Sequence, residues 1–100
     1  PHVLVPSHGV YVTRAVLDDG SAHPAVTNVG TRPTVNNGSD ITVEACLLDF
    51  AGDLYGRTMR LEFFQHLRDE MRFDSLDALK ARIAADAETT RRYFAEHTEL

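Results

Sequence analysis

The 100-residue chain has one cysteine, Cys46, no tryptophan and only four prolines. A lone cysteine excludes an intrachain disulfide framework and fits a reducing, cytoplasmic compartment. Positive charge is scarce as well: 10 Lys and Arg stand against 15 Asp and Glu, a formal net charge of −5. A field of that sign repels nucleic-acid phosphates and anionic lipid, so no nucleic-acid partner and no membrane partner are expected. No apolar run approaches the roughly 20 residues that a membrane-spanning helix needs. Pro1 to His8 lacks the basic start and apolar run of a secretory signal, and a chain beginning on proline reads as cut from something longer. The histidines, at 2, 8, 23, 66 and 97, lack the short spacings of a metal site, no Gly-Lys-Ser/Thr sequence offers a Walker loop, and no nucleophile elbow occurs.

What is present is ordinary globular material, 43% hydrophobic and 25% charged, enough for one domain with one core. Gly9 to Leu17 alternates Val10, Val12 and Val16 on one face and runs into the turn residues Asp18-Asp19-Gly20, which predicts a strand entering a hairpin. Ala22 to Val29 is a second strand, with Pro24 suggesting an edge position or a bulge and Gly30 ending it. Thr31 to Asp40, with Pro33, Asn36, Asn37 and Gly38, is expected as a long loop. Ile41 to Phe50 and Arg57 to Leu67 are two further strands, expected to pair as a long antiparallel hairpin. Asp74-Ser75 offers an N-cap, and Leu76, Leu79, Ile83, Ala87 and Phe94 recur at helical spacing, so one amphipathic helix is expected from about 75 to 96. Strands followed by a single helix indicate an α+β fold or a small β-barrel with a terminal helix.

Glu44 is the residue that chemistry singles out. The period of two places it on one face with Cys46 and Leu48. Facing inward, its carboxyl would be desolvated and tuned for acid or base work; facing outward, it would be one more solvated strand residue, the commoner situation because Glu is rarely buried without a partner. Asn28 and Gly30-Thr31-Arg32-Pro33-Thr34 combine an amide, hydroxyls and a guanidinium. Such a loop suits a phosphate or a polar ring edge, and equally suits a turn that satisfies its own backbone. The run Arg68-Asp69-Glu70 with Arg72 reads by pattern as a solvated connection.

Five stretches in order carry a resemblance from about Pro6 to Phe94: Gly9-Val10-Tyr11-Val12; Asn28-Val29-Gly30-Thr31-Arg32-Pro33-Thr34; Val43-Glu44 on to Leu47-Leu48-Asp49-Phe50; Asp53-Leu54-Tyr55-Gly56; and Arg72-Phe73-Asp74-Ser75-Leu76. The chain resembles the riboflavin kinase module that forms the C-terminal half of bacterial bifunctional riboflavin kinase/FAD synthetases. The resemblance implies a mainly β, six-stranded Greek-key barrel with a C-terminal helix, here a single domain over 1–100 with barrel 9–67. It implies transfer of a phosphoryl group from ATP, with Mg2+, to the 5′-hydroxyl of riboflavin, giving FMN. It makes Glu44 the catalytic base, puts Asn28 and Tyr55 beside the nucleotide, and puts Leu67, Arg68, Asp69 and Phe73 in a loop that closes over the flavin. An adenylyltransferase module is the implied neighbour on the N-terminal side.

The family's first strand, its glycine-rich phosphate loop and its Pro-Thr-Ala-Asn motif have no counterpart ahead of Val3. Pro33-Thr34-Val35-Asn36 follows Asn28-Val29-Gly30-Thr31 and so corresponds to a later loop; no magnesium role passes to it. A barrel short of one strand exposes an edge, through which a second copy could pair. Weak or no kinase activity is expected from the 100 residues alone. The competing expectations are a flavin- or FMN-binding module without catalysis, and a small barrel for protein–protein contact.

Overall fold

The computed structural model describes residues 7–33, 38–52 and 56–98. Four strands and a helix follow one another: β1 (Gly9–Leu17), β2 (Ala22–Pro33), β3 (Ser39–Leu47), β4 (Met59–Arg68) and α1 (Leu76–Glu96). The strands form one antiparallel sheet in the order β3-β2-β1-β4. This is a mainly β fold with a C-terminal helix, and its four described strands form an open sheet, consistent with the expected barrel short of a strand.

The pairing departs from the expected hairpin. β3 pairs with β2 and β4 with β1, so the two strands thought to be partners lie at opposite edges. The reason is the character of β1: Val10, Tyr11, Val12, Thr13, Ala15 and Leu17 are all buried, and a strand apolar on both faces belongs in the middle of a sheet. β4 supplies aromatic cover for it, with Phe63 set edge-on to Tyr11 at 5.3 Å between centroids. Two register shifts, between Val10 and Tyr11 and between Val12 and Thr13, leave Leu67 and Phe64 as extra residues in β4. The second bulge sends Phe64 toward the helix, where it meets Phe94 edge-on at 5.5 Å while the Arg14 guanidinium lies over its ring at 5.3 Å.

Gly30 does not end β2, which runs on to Pro33, and β3 begins at Ser39, so the expected ten-residue loop shrinks from both sides. Pro24 lies in an interior strand rather than at an edge. Its carbonyl accepts from Leu48 N at 2.8 Å, just beyond Leu47, where β3 ends. Because a strand residue's N and C=O point to the same neighbour, the missing N–H falls where the ladder has already stopped.

One face of the sheet is built for packing. Thr13, Ala15, Ala25, Thr27 and Val29 have no exposed surface. The two threonines join their hydroxyls at 2.8 Å, and Thr13 Oγ1 donates to the Ala25 carbonyl at 3.1 Å, so neither polar group is stranded. Toward the β3 edge of this face Ile41 and Val43 are about half exposed, at 53% and 48%. The other face receives α1. Ser75 caps the helix by accepting from Ala78 N at 3.1 Å, and Asp77 sits favourably in the first turn. Arg91 holds the helix to the turn after β3, with Nη2 and Nε reaching Asp49 Oδ1 and Oδ2 at 3.0 and 3.2 Å. That hydrogen-bonded guanidinium lowers the Asp49 pKa, as Arg14 does for Glu62 across β1 and β4.

The helix is less of a core element than its apolar spacing suggested. Leu76 and Ile83 are 64% and 50% exposed, whereas the residues it buries are Asp86 and Thr90. Its aromatic C-terminal end docks on Phe64; its N-terminal half stands off the sheet and leaves a cavity beneath.

Candidate functional site

A row of register partners crosses the sheet on the helix side: Arg68 on β4 faces Val10 on β1, Val10 faces Asn28 on β2, and Asn28 faces Glu44 on β3. Partners across a ladder share a face, so one residue from each strand points the same way over a width of about 14 Å, three strand spacings. All four line a cavity of about 800 Å³, within the range of small-molecule sites. Val26 and Cys46, partners one row along, form its floor with Leu48. The connection after β4 supplies Glu70, Met71, Arg72 and Phe73, and the helix supplies Leu79, Ile83, Asp86 and Ala87.

Ile83, exposed rather than in a core, is therefore part of the cavity's wall with Leu79, whereas Leu76 lies outside it. Met71, Phe73, Leu79 and Ile83 together present a surface suited to a flat apolar ring, and Asn28, Glu44, Glu70 and Arg72 suit its polar parts. Glu44 is exposed on this wall. Of the two orientations that the strand pattern left open, the carboxyl takes neither fully: it lies on the cavity side of the sheet and is not desolvated. A ligand filling the cavity would cover this carboxylate.

The expected site residues divide. Glu44, Asn28, Arg68 and Phe73 come together around one space. Leu67 and Asp69 adjoin it without lining it: Leu67 is the extra residue of a bulge, and exposed Asp69 lies 3.5 Å from His66 Nε2. Tyr55, with Asp53-Leu54, lies outside the described residues, as does Thr34-Val35-Asn36. Sequence reasoning passed over Cys46 and Val26, for which their place in the alternation one step from Glu44 and Asn28 was the available signal. It also passed over Asp86, a polar residue on the sheet side of the helix stripe.

Arg68 is differently engaged than expected. Its guanidinium is turned to Asp86, with Nη2–Oδ2 at 2.8 Å and Nε–Oδ2 at 3.1 Å, while Nη1 donates to the Asp69 carbonyl at 3.1 Å. The Glu70 carboxylate lies directly on Gly30, in the space that a Cβ there would take, so any larger residue would displace this flexible side chain. Among the described residues no group of three or more His, Cys, Asp or Glu is arranged to hold a metal ion. These side chains do not fit a magnesium site by themselves, and none is assigned to one.

A carboxylate, an amide and an apolar wall around one cavity define a site for a small, partly aromatic molecule. Comparison with known proteins narrows the class. The family model described as "Flavokinase: Riboflavin kinase" matches residues 1–94. The chain is 48% identical over 87 residues to the bifunctional riboflavin kinase/FMN adenylyltransferase of Pseudomonas fluorescens, covering 87% of this chain and 28% of that protein. It is 45% identical over 89 residues to the enzyme of that name from Escherichia coli strain K12, covering 89% and 28%, and 34% identical to an RNA-binding riboflavin kinase of Bacillus subtilis, covering 87% and 37%. A solved structure described as a macrolide-efflux protein from Streptococcus pneumoniae shares the fold with a TM-score of 0.81 at 33% identity, over 88% of this chain and 28% of that one. The chain belongs to the riboflavin kinase family. It spans a little over a quarter of the bifunctional relatives it matches. Among the described residues no helix is long and apolar enough to cross a membrane.

Proposed function

We propose that this chain is the riboflavin kinase part of a bifunctional flavin-nucleotide synthetase, transferring the γ-phosphoryl group of ATP to the 5′-hydroxyl of riboflavin. The observation that carries the reading is the position of Glu44, on one wall of the cavity directly across the ladder from Asn28. In this reading the isoalloxazine ring lies against Met71, Phe73, Leu79 and Ile83, and the ribityl chain runs over the sheet toward β3. Glu44 takes the proton from the 5′-hydroxyl as its oxygen bonds to the γ-phosphorus; the bond from that phosphorus to the bridging oxygen breaks and ADP leaves. Asn28 orients the attacking hydroxyl or the phosphate from its neighbouring strand. Such chemistry asks the protein chiefly for positioning and charge stabilisation. Magnesium, when bound with ATP, would screen the phosphate charge; no residue described here is given to it.

Coverage of about 28% of each relative supports an adenylyltransferase module as the covalent neighbour. The free, exposed Cys46 on the cavity floor fits a reducing cytoplasm. Among the described residues the outer edges of β3 and β4 have no strand beside them, and there another strand, from the same chain or a second copy, would pair.

The test is FMN formation from riboflavin and ATP by the protein at its natural length, beside its Glu44→Gln variant. The variant should lose about 10²- to 10⁴-fold in kcat, with riboflavin affinity retained. Turnover equal to wild type in the variant would reject Glu44 as the base. Flavin binding with no FMN formed by the wild type would favour the non-catalytic module.

A further inference from the structure

The Arg68–Asp86 pair is the most enclosed ion pair among the described residues, with side chains only 18% and 9% exposed. Burying two charges carries a desolvation penalty that their attraction must first offset, and an apolar pair of similar volume is commonly as stable. What an arginine–carboxylate fork adds is direction. Here it joins the last residue of β4 to the middle of α1, ten residues past the start of the helix at Leu76 and so about 15 Å along its axis.

That placement has a geometric consequence. With the strand end held to the helix middle, residues 69–75 and the first turns of α1 must arch out and back. The arch is the cavity wall bearing Glu70, Met71, Phe73, Leu79 and Ile83. Arg68 reinforces it at two further points, donating to the Asp69 carbonyl and lying 5.9 Å from the centre of the Phe73 ring. Arg82 Nε, 3.9 Å from Asp86 Oδ1 on the next turn, adds a second, looser cation to the same carboxylate.

We propose that Arg68 is a positioning residue of the flavin site: it acts through Asp86 to hold the connection 69–75 in the shape that receives the ring, and does not itself bind the substrate. The proposal rests on the riboflavin kinase reading above. Three of the five guanidinium N–H groups are committed, to Asp86 and to the Asp69 carbonyl, so the fork that would grip a flavin edge is turned into the protein.

The experiment compares Arg68→Lys, Asp86→Asn and the double variant in the protein at its natural length. Riboflavin binding is followed by fluorescence quenching, with KM for riboflavin and ATP and thermal unfolding measured alongside. Each single substitution should weaken riboflavin binding about tenfold or more, with the KM for ATP unchanged. The double variant should lose no more than the worse single, since each breaks the same clamp. Asp86→Glu keeps the charge on a longer arm and should recover stability while leaving riboflavin binding weakened. Loss of riboflavin binding in the Arg68 variant alone would make Arg68 a direct contact and overturn the proposal. A lower melting temperature with wild-type flavin affinity would overturn it too, reducing the clamp to fold stability. Failure of the kinase reading is separately visible, as a wild type that binds riboflavin and forms no FMN.

Discussion

The two faces of the same sheet are put to opposite uses. On one, Thr13, Ala15, Ala25, Thr27 and Val29 are fully enclosed, and even the hydroxyls are satisfied. On the other, Val10, Asn28, Glu44 and Arg68 form a row from four strands that opens onto a cavity. Alternation along each strand assigns neighbouring residues to the two tasks, so Thr27 and Asn28, or Ala25 and Val26, differ in role because they differ in direction. Stability and ligand binding should therefore be separable by substitution at adjacent positions.

The largest stability effect expected on the packed face is Val29→Ala, which removes a fully buried side chain and should cost about 2 kcal/mol in chemical denaturation. Per folded molecule, riboflavin affinity should stay that of the wild type; a parallel fall in affinity would show that the faces are not independent. A smaller effect, and the opposite pattern, is expected from Gly30→Ala. The new methyl displaces the flexible end of Glu70 without straining the backbone, so the melting temperature should barely move while riboflavin affinity drops severalfold, on the order of 1 kcal/mol. The smallest effect concerns neither face. Asp49 and Glu62 have lowered folded-state pKa values through Arg91 and Arg14. The unfolded chain therefore binds more protons in the carboxylate range, and these pairs contribute stability above the unfolded pKa that is lost as pH falls through the folded one. Acid titration of the melting temperature should show that fall below about pH 4.5, and it should diminish in Glu62→Gln.

Legibility in the sequence followed how local each signal was. The C-terminal helix and its Ser75 cap were readable because an N-cap oxygen and apolar spacing are properties of a few consecutive residues. Glu44's company on its strand face was readable for the same reason, as was β1 up to its turn. Partner choice between strands was not: proximity in sequence favoured pairing β3 with β4, whereas the two-sided burial of β1, a property of the assembled sheet, placed them at opposite edges. Pro24 and Gly30 read as interruptions because a proline's missing donor and a glycine's missing side chain acquire meaning only from what lies across from them, here the end of a ladder and the Glu70 carboxylate. Asp86 escaped notice because a charged residue on a helix is solvated by default, and its partner is 18 residues away on a strand. The helix's apolar stripe was legible, but not that half of it would line a cavity instead of a core.

The central claim is that the Glu44 carboxylate meets the hydroxyl that is phosphorylated. A crystal structure with riboflavin bound measures this directly: a Glu44 oxygen should lie about 3 Å from the ribityl 5′-oxygen, with the ring against Phe73 and Ile83. A flavin bound in this cavity with its 5′-hydroxyl turned away from β3, beyond reach of that carboxylate even through one water, would contradict it.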